Sequence, residues 1–325
     1  NQNIDIVFRQ GTRLIFCFIL MFIISLIDIN KLKNMSPYIY ILCLIMLMIT
    51  LFWGHDVKGA KRWIVIMGFS FQVSEIIKFF VPMTLAWYLS LSDDKDIDIK
   101  KLIICFAIIL APIFFIIKQP DLGTSLIILL CGLITIFLGG VKKKQMIILF
   151  GLFSIAIPIM WKFILLPYQK KRIMTLFDPT LDPLGSGYHI MQSKIAVGSG
   201  GFLGKGFLNG TQSQLEFLPE RGTDFIFAVF AEEFGFVGVL ILFLVYLIII
   251  ARCLQITFKA KSYFAKIFSG SISSILILLV VTNVSMAVGL LPVVGVTLPL
   301  ISLGGSSLLS IFVAFGIMFS INRRA

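Results

Sequence analysis

Leu218-Pro219-Glu220-Arg221-Gly222-Thr223-Asp224-Phe225-Ile226-Phe227 places three charged residues where a long polar segment gives way to the apolar run 223–251. That junction decides the class of molecule. A run of this length and apolarity reads as a bilayer span, and a carboxylate at its lip is costly unless something there uses it. The competing explanation is local: Thr223 or Asp224 could tie down free N–H groups at a helix start. Position alone leaves both open.

The rest of the chain is of the same kind. Of 325 residues, 58% are hydrophobic and 14% charged, with a mean hydropathy of +1.02. A soluble domain of this size could not cover so much apolar surface, so the fold expected is an all-α polytopic membrane protein. The formal net charge of +12 then fits basic loops facing anionic lipid. No RNP, zinc-finger or helix-turn-helix pattern supports a nucleic-acid partner. Five cysteines, Cys17, Cys43, Cys105, Cys131 and Cys253, are scattered singly in or beside apolar runs and read as small core residues. With His55 and His189 the only histidines, no histidine-based metal site is expected. The chain opens at Asn1 almost directly in a helix-like pattern without a signal peptide, which predicts a missing N-terminal segment.

Apolar runs fall at 12–28, 37–53, 76–91, 101–117, 122–140, 145–166, 223–251, 267–291 and 300–322, about nine spans. Pro82, Pro112 and Pro158 interrupt some of them and predict kinks that neighbouring helices make tolerable. Lys31, Lys33, Lys95, Lys100, Lys101, Lys142, Lys143 and Lys144 fall on one side, joined by Arg252, Lys259, Lys261, Lys266, Arg323 and Arg324; that side is assigned to the cytoplasm. The opposite side holds 54–75, 118–121, 167–222 and 292–299. Lys58, Lys61, Arg62 and Lys118 break the rule there, and basic residues that do so usually meet an anion.

The chain thus reads as one integral membrane domain, 1–325, with 167–222 as its large extracellular loop. A loop this long within a membrane bundle is either disordered or functional; aromatic and glycine content without simple repeats favours order. Tyr188–Lys194 reads as an amphipathic helix within it. The run Gly198-Ser199-Gly200-Gly201-Phe202-Leu203-Gly204-Lys205-Gly206 fails the P-loop pattern, with Ser199 where the first glycine belongs and Gly206 after the lysine. Backbone flexibility beside a lipid headgroup is the use expected for it, with plain loop turns as the alternative.

Other constellations sit on the same side. Glu75 and Lys78 are three apart and share a helix face, joined by Gln72 if the helix begins that early. A simple ion pair explains them, but a buried Lys78 needs a partner, and Asp224 lies at the same predicted level. Trp63 suits either an interfacial anchor or a platform under a sugar ring. Lys118 and Asp121 flank a Pro/Gly turn. The small residues Gly304 and Gly305 predict close helix approach.

These residues fall into segments that resemble the SEDS family (shape, elongation, division and sporulation proteins). The carriers are Gly59-Ala60-Lys61-Arg62-Trp63, Gln72-Val73-Ser74-Glu75 with Lys78, and Gln119-Pro120-Asp121-Leu122-Gly123-Thr124. Next come Asp182-Pro183-Leu184-Gly185-Ser186-Gly187-Tyr188, Gln192-Ser193-Lys194-Ile195-Ala196 and Gly204-Lys205-Gly206. The most specific is Gly210-Thr211-Gln212-Ser213-Gln214-Leu215-Glu216-Phe217-Leu218-Pro219-Glu220, running on to Ala231-Glu232-Glu233-Phe234-Gly235. Gly289-Leu290-Leu291-Pro292 and Ser302-Leu303-Gly304-Gly305-Ser306 complete a match over essentially the whole chain. Arg221 after Glu220 resembles the elongation branch, the RodA-like members, more than the division branch. Val73 stands where the family often has Pro, and Gly222 where it often has His.

The resemblance implies a bundle of ten membrane helices, of which the first is missing here. It implies a peptidoglycan glycosyltransferase, outward-facing in the bacterial cytoplasmic membrane, that polymerises lipid II into glycan strands for cell elongation and shape. Its partners would be lipid II and the growing strand, membrane lipid, and a class B penicillin-binding protein transpeptidase. The family's essential aspartate falls on Asp224. Pyrophosphate is already a good leaving group, so one carboxylate suffices: Asp224 would act as general base on the acceptor's 4-hydroxyl. Lys61, Arg62, Lys78, Lys118 and Lys205 are the candidate cations for the departing charge. Trp63, Gln72, Ser74, Glu75, Gln192, Glu220 and Arg221 complete the expected substrate-binding set. No cofactor is identified from these residues; a divalent cation (Mg or Mn) bridging the pyrophosphate is an alternative source of charge, without a dedicated cage in the sequence. The competing functions are a lipid II flippase and a non-catalytic scaffold for the transpeptidase.

Overall fold

The computed structural model describes residues 2–57, 60–66, 69–92, 97–183, 185–214, 217–218 and 220–324. Lys58, Gly59, Lys95, Leu184, Leu215, Glu216 and Pro219, which entered the sequence reading, lie outside them. Long helices coincide with the expected spans: α1 (Gln2–Leu26), α2 (Ile29–Trp53), α3 (Val73–Leu89), α4 (Ile99–Lys118), α5 (Leu122–Leu138), α6 (Lys143–Ile159), α10 (Ile226–Lys259), α11 (Tyr263–Ala287) and α12 (Gly305–Asn322). Five of them, α2, α4, α10, α11 and α12, are each long and apolar enough to cross a membrane. The chain is a multi-pass membrane protein. Aspartates start several helices: Asp28, Asp98 and Asp121 accept from Asn30 N, Lys101 N and Thr124 N at the heads of α2, α4 and α5.

The chain divides into two compact units. The first comprises Asn1–Val141, Ile250–Ile277 and Leu303–Ala325. Here α1 packs along α12, and α3 against α2, α4 and α5. Small residues permit the closest approaches, but not where expected. A Cβ on Gly316 of α12 would lie 2.8 Å from the Met21 carbonyl of α1, whereas one on Gly305 would meet only Arg13 at an ordinary 3.5 Å. Gly304 is the extended residue before α12, and Gly305 begins the helix.

Segment 54–75, expected as a loop, contains β1 (His55–Val57), β2 (Ala60–Ile66) and β3 (Phe69–Phe71), an antiparallel sheet in the order β1-β2-β3. Trp63 pairs with His55 and Ile64 with Phe71. The aromatic and β-branched run Trp63-Ile64-Val65-Ile66 suits an extended chain and is too short to span anything.

The second unit comprises Lys142–Ile249 and Leu278–Ser302. Helix α6 ends in a π-helical turn, Met160–Ile164, just after Pro158. The described residues of segment 167–222 form α7 (Pro167–Phe177), a 3-10 turn at Pro179–Leu181, α8 (Ser186–Ser199) and the short α9 (Thr211–Gln214). The amphipathic stretch expected at 188–194 lies in α8, where Ile190, Ser193 and Ala196 form the buried face. Ser193 donates to the Ala287 carbonyl at the end of α11 (2.6 Å).

Helix α10 is broken at Gly235 (φ 64°, ψ −164°). The glycine run repairs the break. Lys205 N and Gly206 N donate to the carbonyls of Glu232 and Glu233 (3.0 and 2.9 Å), while Phe236 N and Val237 N donate to Gly201 and Phe202 (3.0 and 3.1 Å). Backbone groups freed by a kink in a membrane helix need such partners. Glycine is required because the chains touch: a Cβ on Gly204 would lie 2.1 Å from the Glu233 carbonyl. Flexibility beside a headgroup, expected for this run, gives way to a fixed clip.

Candidate active site

Asp224 lies in the turn preceding α10. Thr223 N and Phe225 N donate to the Glu220 carbonyl (3.1 and 3.3 Å), with Glu220 itself in the left-handed region (φ 60°). The buried Asn283 of α11 donates its amide to the carbonyls of Asp224 (3.0 Å) and Val296 (2.7 Å). Ser302 donates to the Thr223 carbonyl (2.7 Å) and accepts from Leu298 N (2.8 Å). The turn, α11 and segment 292–302 are thereby tied together at the backbone of two adjacent residues, Thr223 and Asp224. The Asp224 side chain is partly buried, and a Cβ on Gly295 would come within 3.6 Å of its Oδ2. Thr223 does not cap α10: its hydroxyl donates back to Glu220, to the carbonyl (3.3 Å) and to Oε2 (3.1 Å).

Lys205 meets Glu232, whose side chain is fully buried beside the Gly235 break. Lys205 Nζ lies 2.8 Å from Glu232 Oε1, which also accepts from Thr211 Oγ1 (3.1 Å) and Gln212 N (3.0 Å). Gln192 is partly buried on α8, and Glu220 and Arg221 are exposed in the turn.

A cavity of about 350 Å³ lies in this unit, between α7, the start of α8 and Val293. Lys171 pairs with Asp182 there (2.9 Å), and Asp182 Oδ2 accepts from Ser186 N and Oγ (2.9 and 3.0 Å). The hydrogen bond from the Lys171 ammonium, with that from Ser186 N–H, holds the Asp182 carboxyl below the usual carboxylate range. The Arg172 guanidinium lies 5.9 Å from the centre of the Tyr168 ring.

In the first unit, Arg62 on β2 donates to the carbonyls of Gln119 (2.9 Å) and Pro120 (2.6 Å) and lies 3.9 Å from Asp121 Oδ2. It closes the C-terminal end of α4, where carbonyls lack helical partners. Gln72 joins the same carboxylate through Nε2 (3.5 Å), and its backbone N–H reaches Ser306 of α12 (2.9 Å). Lys78, buried, pairs with Glu75 at 2.6 Å. Helix α3 starts at Val73, so Gln72 only precedes it. Ser74 is buried, Lys61 reaches the Phe52 carbonyl (3.4 Å), and the Lys118 ammonium lies 4.4 Å from the centre of the Phe114 ring. The structure therefore brings Arg62, Gln72 and Asp121 together, and Glu75 with Lys78.

Sequence reading passed over Tyr168, Lys171, Arg172 and Asn283. Two signals were present in the chain. Lys170-Lys171-Arg172 is a basic run in a segment assigned to the outside, the same violation that drew attention to Lys61 and Arg62. Asn283 is an amide in the middle of an apolar helix, where polar side chains bond across helices.

A family model described as "Cell cycle protein", covering FtsW, RodA and SpoVE, matches residues 1–325. The chain is 44% identical over 321 residues to the peptidoglycan glycosyltransferase MrdB of Escherichia coli K12, covering 99% of this chain and 86% of that protein. It is 30% identical to the peptidoglycan glycosyltransferase RodA of Treponema pallidum, covering 94% and 87%. Among solved structures, a chain of a peptidoglycan synthase complex coordinating polymerization and crosslinking matches with a TM-score of 0.84 at 28% identity, covering 98% of this chain and 90% of that one. The rod shape determining protein RodA of Thermus thermophilus matches with a TM-score of 0.72 at 25% identity, covering 98% and 88%. The chain belongs to the FtsW, RodA and SpoVE family.

Proposed function

We propose that this peptidoglycan glycosyltransferase uses Asp224 as its general base. The observation that supports it is the way the residue is held: its backbone is tied to α11 and to the turn that Ser302 anchors, while its carboxylate sits partly buried beside Gly295. Such a mounting fixes the position of a base before substrate arrives. The acceptor's 4-hydroxyl loses its proton to an Asp224 oxygen as its own oxygen bonds to the donor's anomeric carbon. The anomeric C–O bond breaks, and its electron pair leaves with the diphosphate of the polyprenyl carrier. Lipid II and the growing strand are the two reactants. Lysine and arginine side chains offset the departing charge, Lys61, Arg62, Lys78, Lys118 and Lys205 being the set proposed. Trp63, Gln72, Ser74 and Glu75 of the first unit, and Gln192, Glu220 and Arg221 of the second, are the other residues proposed to bind substrate.

Among the described residues no three His, Cys, Asp or Glu side chains are grouped to hold a metal ion. A divalent cation (Mg or Mn) carried on the diphosphate needs only one or two protein carboxylates, and is proposed as the alternative to these side-chain cations. Segment 167–222 and Asp224 face outward from the cytoplasmic membrane in this reading, where the growing strand lies. The partner is a class B penicillin-binding protein, whose transpeptidase crosslinks the product.

Purified protein with lipid II in detergent tests the reading. Wild type forms glycan polymer, and Asp224→Asn lowers the rate by about 10²- to 10⁴-fold, the usual contribution of a positioned base. Polymer from Asp224→Asn at the wild-type rate removes Asp224 as base. Wild type that makes none but moves lipid II across liposomes is a flippase; one that does neither is a scaffold.

A further inference from the structure

Polymerisation joins two lipid-linked saccharides, so two diphosphates must be held at once, and a second anion site rests on that reading of the reaction. The proposed cations lie mostly in the first unit, around β2, α3 and the end of α4. The 350 Å³ cavity of the second unit is lined by residues outside that set. Lys171 and Arg172 bring two positive charges to its wall, and Asp182 offsets one of them by pairing with Lys171. Among the described residues no carboxylate lies within ion-pair distance of Arg172; its contacts are the Tyr168 ring and a long bond to the Val293 carbonyl (3.4 Å). A planar guanidinium so held presents its remaining N–H groups as a fork that matches phosphate oxygens.

The cavity also adjoins the base. Val293 in its wall is two residues from Gly295, which faces Asp224 Oδ2, a reach of about 7 Å along extended chain. His189, also in the lining, has its ring 6.3 Å from that of Phe225, the residue after Asp224. We propose that this cavity is a second diphosphate subsite, with Arg172 making the forked contact to one lipid-linked reactant and Lys171 adding charge.

The full-length protein in detergent is titrated with farnesyl diphosphate and with lipid II. Arg172→Ala should weaken farnesyl diphosphate binding by about tenfold or more, the value of a charge-assisted contact, and Lys171→Ala by less. Arg172→Gln keeps a polar, partly aliphatic side chain and loses the charge, so it serves if the alanine variant does not fold. Unchanged binding by both Arg172 variants overturns the proposal. So does a loss confined to a phosphate-free muramyl peptide, which would mean that the cavity reads a peptide carboxylate. Kinetics identify which reactant is held, and either result supports the subsite: a fall in kcat marks the departing diphosphate, a rise in KM alone marks that of the acceptor. Asp224→Asn separates the two ideas. If it still polymerises while Arg172→Ala loses binding, the base assignment fails and the subsite stands.

Discussion

Asp121 and Asp224 each sit at the head of an apolar helix, with a threonine close by, and the fold uses them in opposite ways. Asp121 is 7% exposed. Its carboxylate accepts from Thr124 N (3.2 Å), Thr124 Oγ1 (2.9 Å) and Gln72 Nε2 (3.5 Å), and Arg62 stands at 3.9 Å. Every bond there serves the start of α5 and its tie to the sheet. Asp224 is secured through main-chain carbonyls, its own by Asn283 and that of Thr223 by Ser302. A carboxylate whose oxygens complete a helix start is structural; one whose backbone is tied to two neighbouring segments is held in a fixed position for chemistry. Sequence position does not separate these cases.

The largest expected effects test that contrast directly. Asp224→Asn should lose about 10²- to 10⁴-fold in polymerisation rate while thermal unfolding in detergent stays close to that of wild type. Asp121→Asn should do the reverse. It removes a charged acceptor from a buried network, at a cost of about 1–3 kcal/mol, seen as a lowered unfolding midpoint. If Asp121→Asn unfolds like wild type yet loses activity to the same extent as Asp224→Asn, the contrast collapses and both carboxylates belong to the chemistry.

Next in size is the mounting of Asp224. Asn283→Ala leaves the Asp224 and Val296 carbonyls without their donor, which costs about 1–3 kcal/mol when buried. It should also reduce the rate by releasing the backbone that positions the base. Stability that falls with an unchanged specific rate would show that Asn283 only packs. Gly235→Ala acts on the clip. Its Cβ would lie 2.2 Å from Gly204 N at a φ of 64°, so backbone strain of about 1–3 kcal/mol and a lost contact with the glycine run are expected, read as faster proteolysis of segment 198–210. Resistance equal to wild type would mean that the break in α10 is held by something else.

Much of this architecture was legible in the chain. Apolar runs gave the long helices because span length is set by bilayer thickness, and Tyr188–Lys194 showed its helix through spacing alone. The sheet at 54–75 was hidden, since three- and seven-residue strands leave a weak pattern between far stronger apolar runs. At the site, Asp224 stood out because its charge borders an apolar run. Asn283 and the Gly204–Glu233 contact did not, because each takes its meaning from a partner distant in sequence. Arg62 was legible as an unusual cation, but its contacts lie with the Gln119 and Pro120 carbonyls, which no sequence pattern announces.

The smallest effect is the finest probe of the comparison. Thr124 and Thr223 are the threonines beside the two aspartates. The Thr124 hydroxyl is bonded to Asp121 Oδ2 in a buried setting, so Thr124→Ala should cost about 1 kcal/mol. The Thr223 hydroxyl returns to Glu220 in an exposed turn, and Thr223→Ala should stay within about 0.5 kcal/mol. Were Thr223 a true cap of α10, its loss would also cost about 1 kcal/mol. Equal unfolding shifts for the two variants would thus make both junctions capped helix starts and remove the structural distinction between them. Unequal shifts in the stated order would leave the turn before α10 stabilised by Asn283 and Ser302, with Asp224 mounted at its centre.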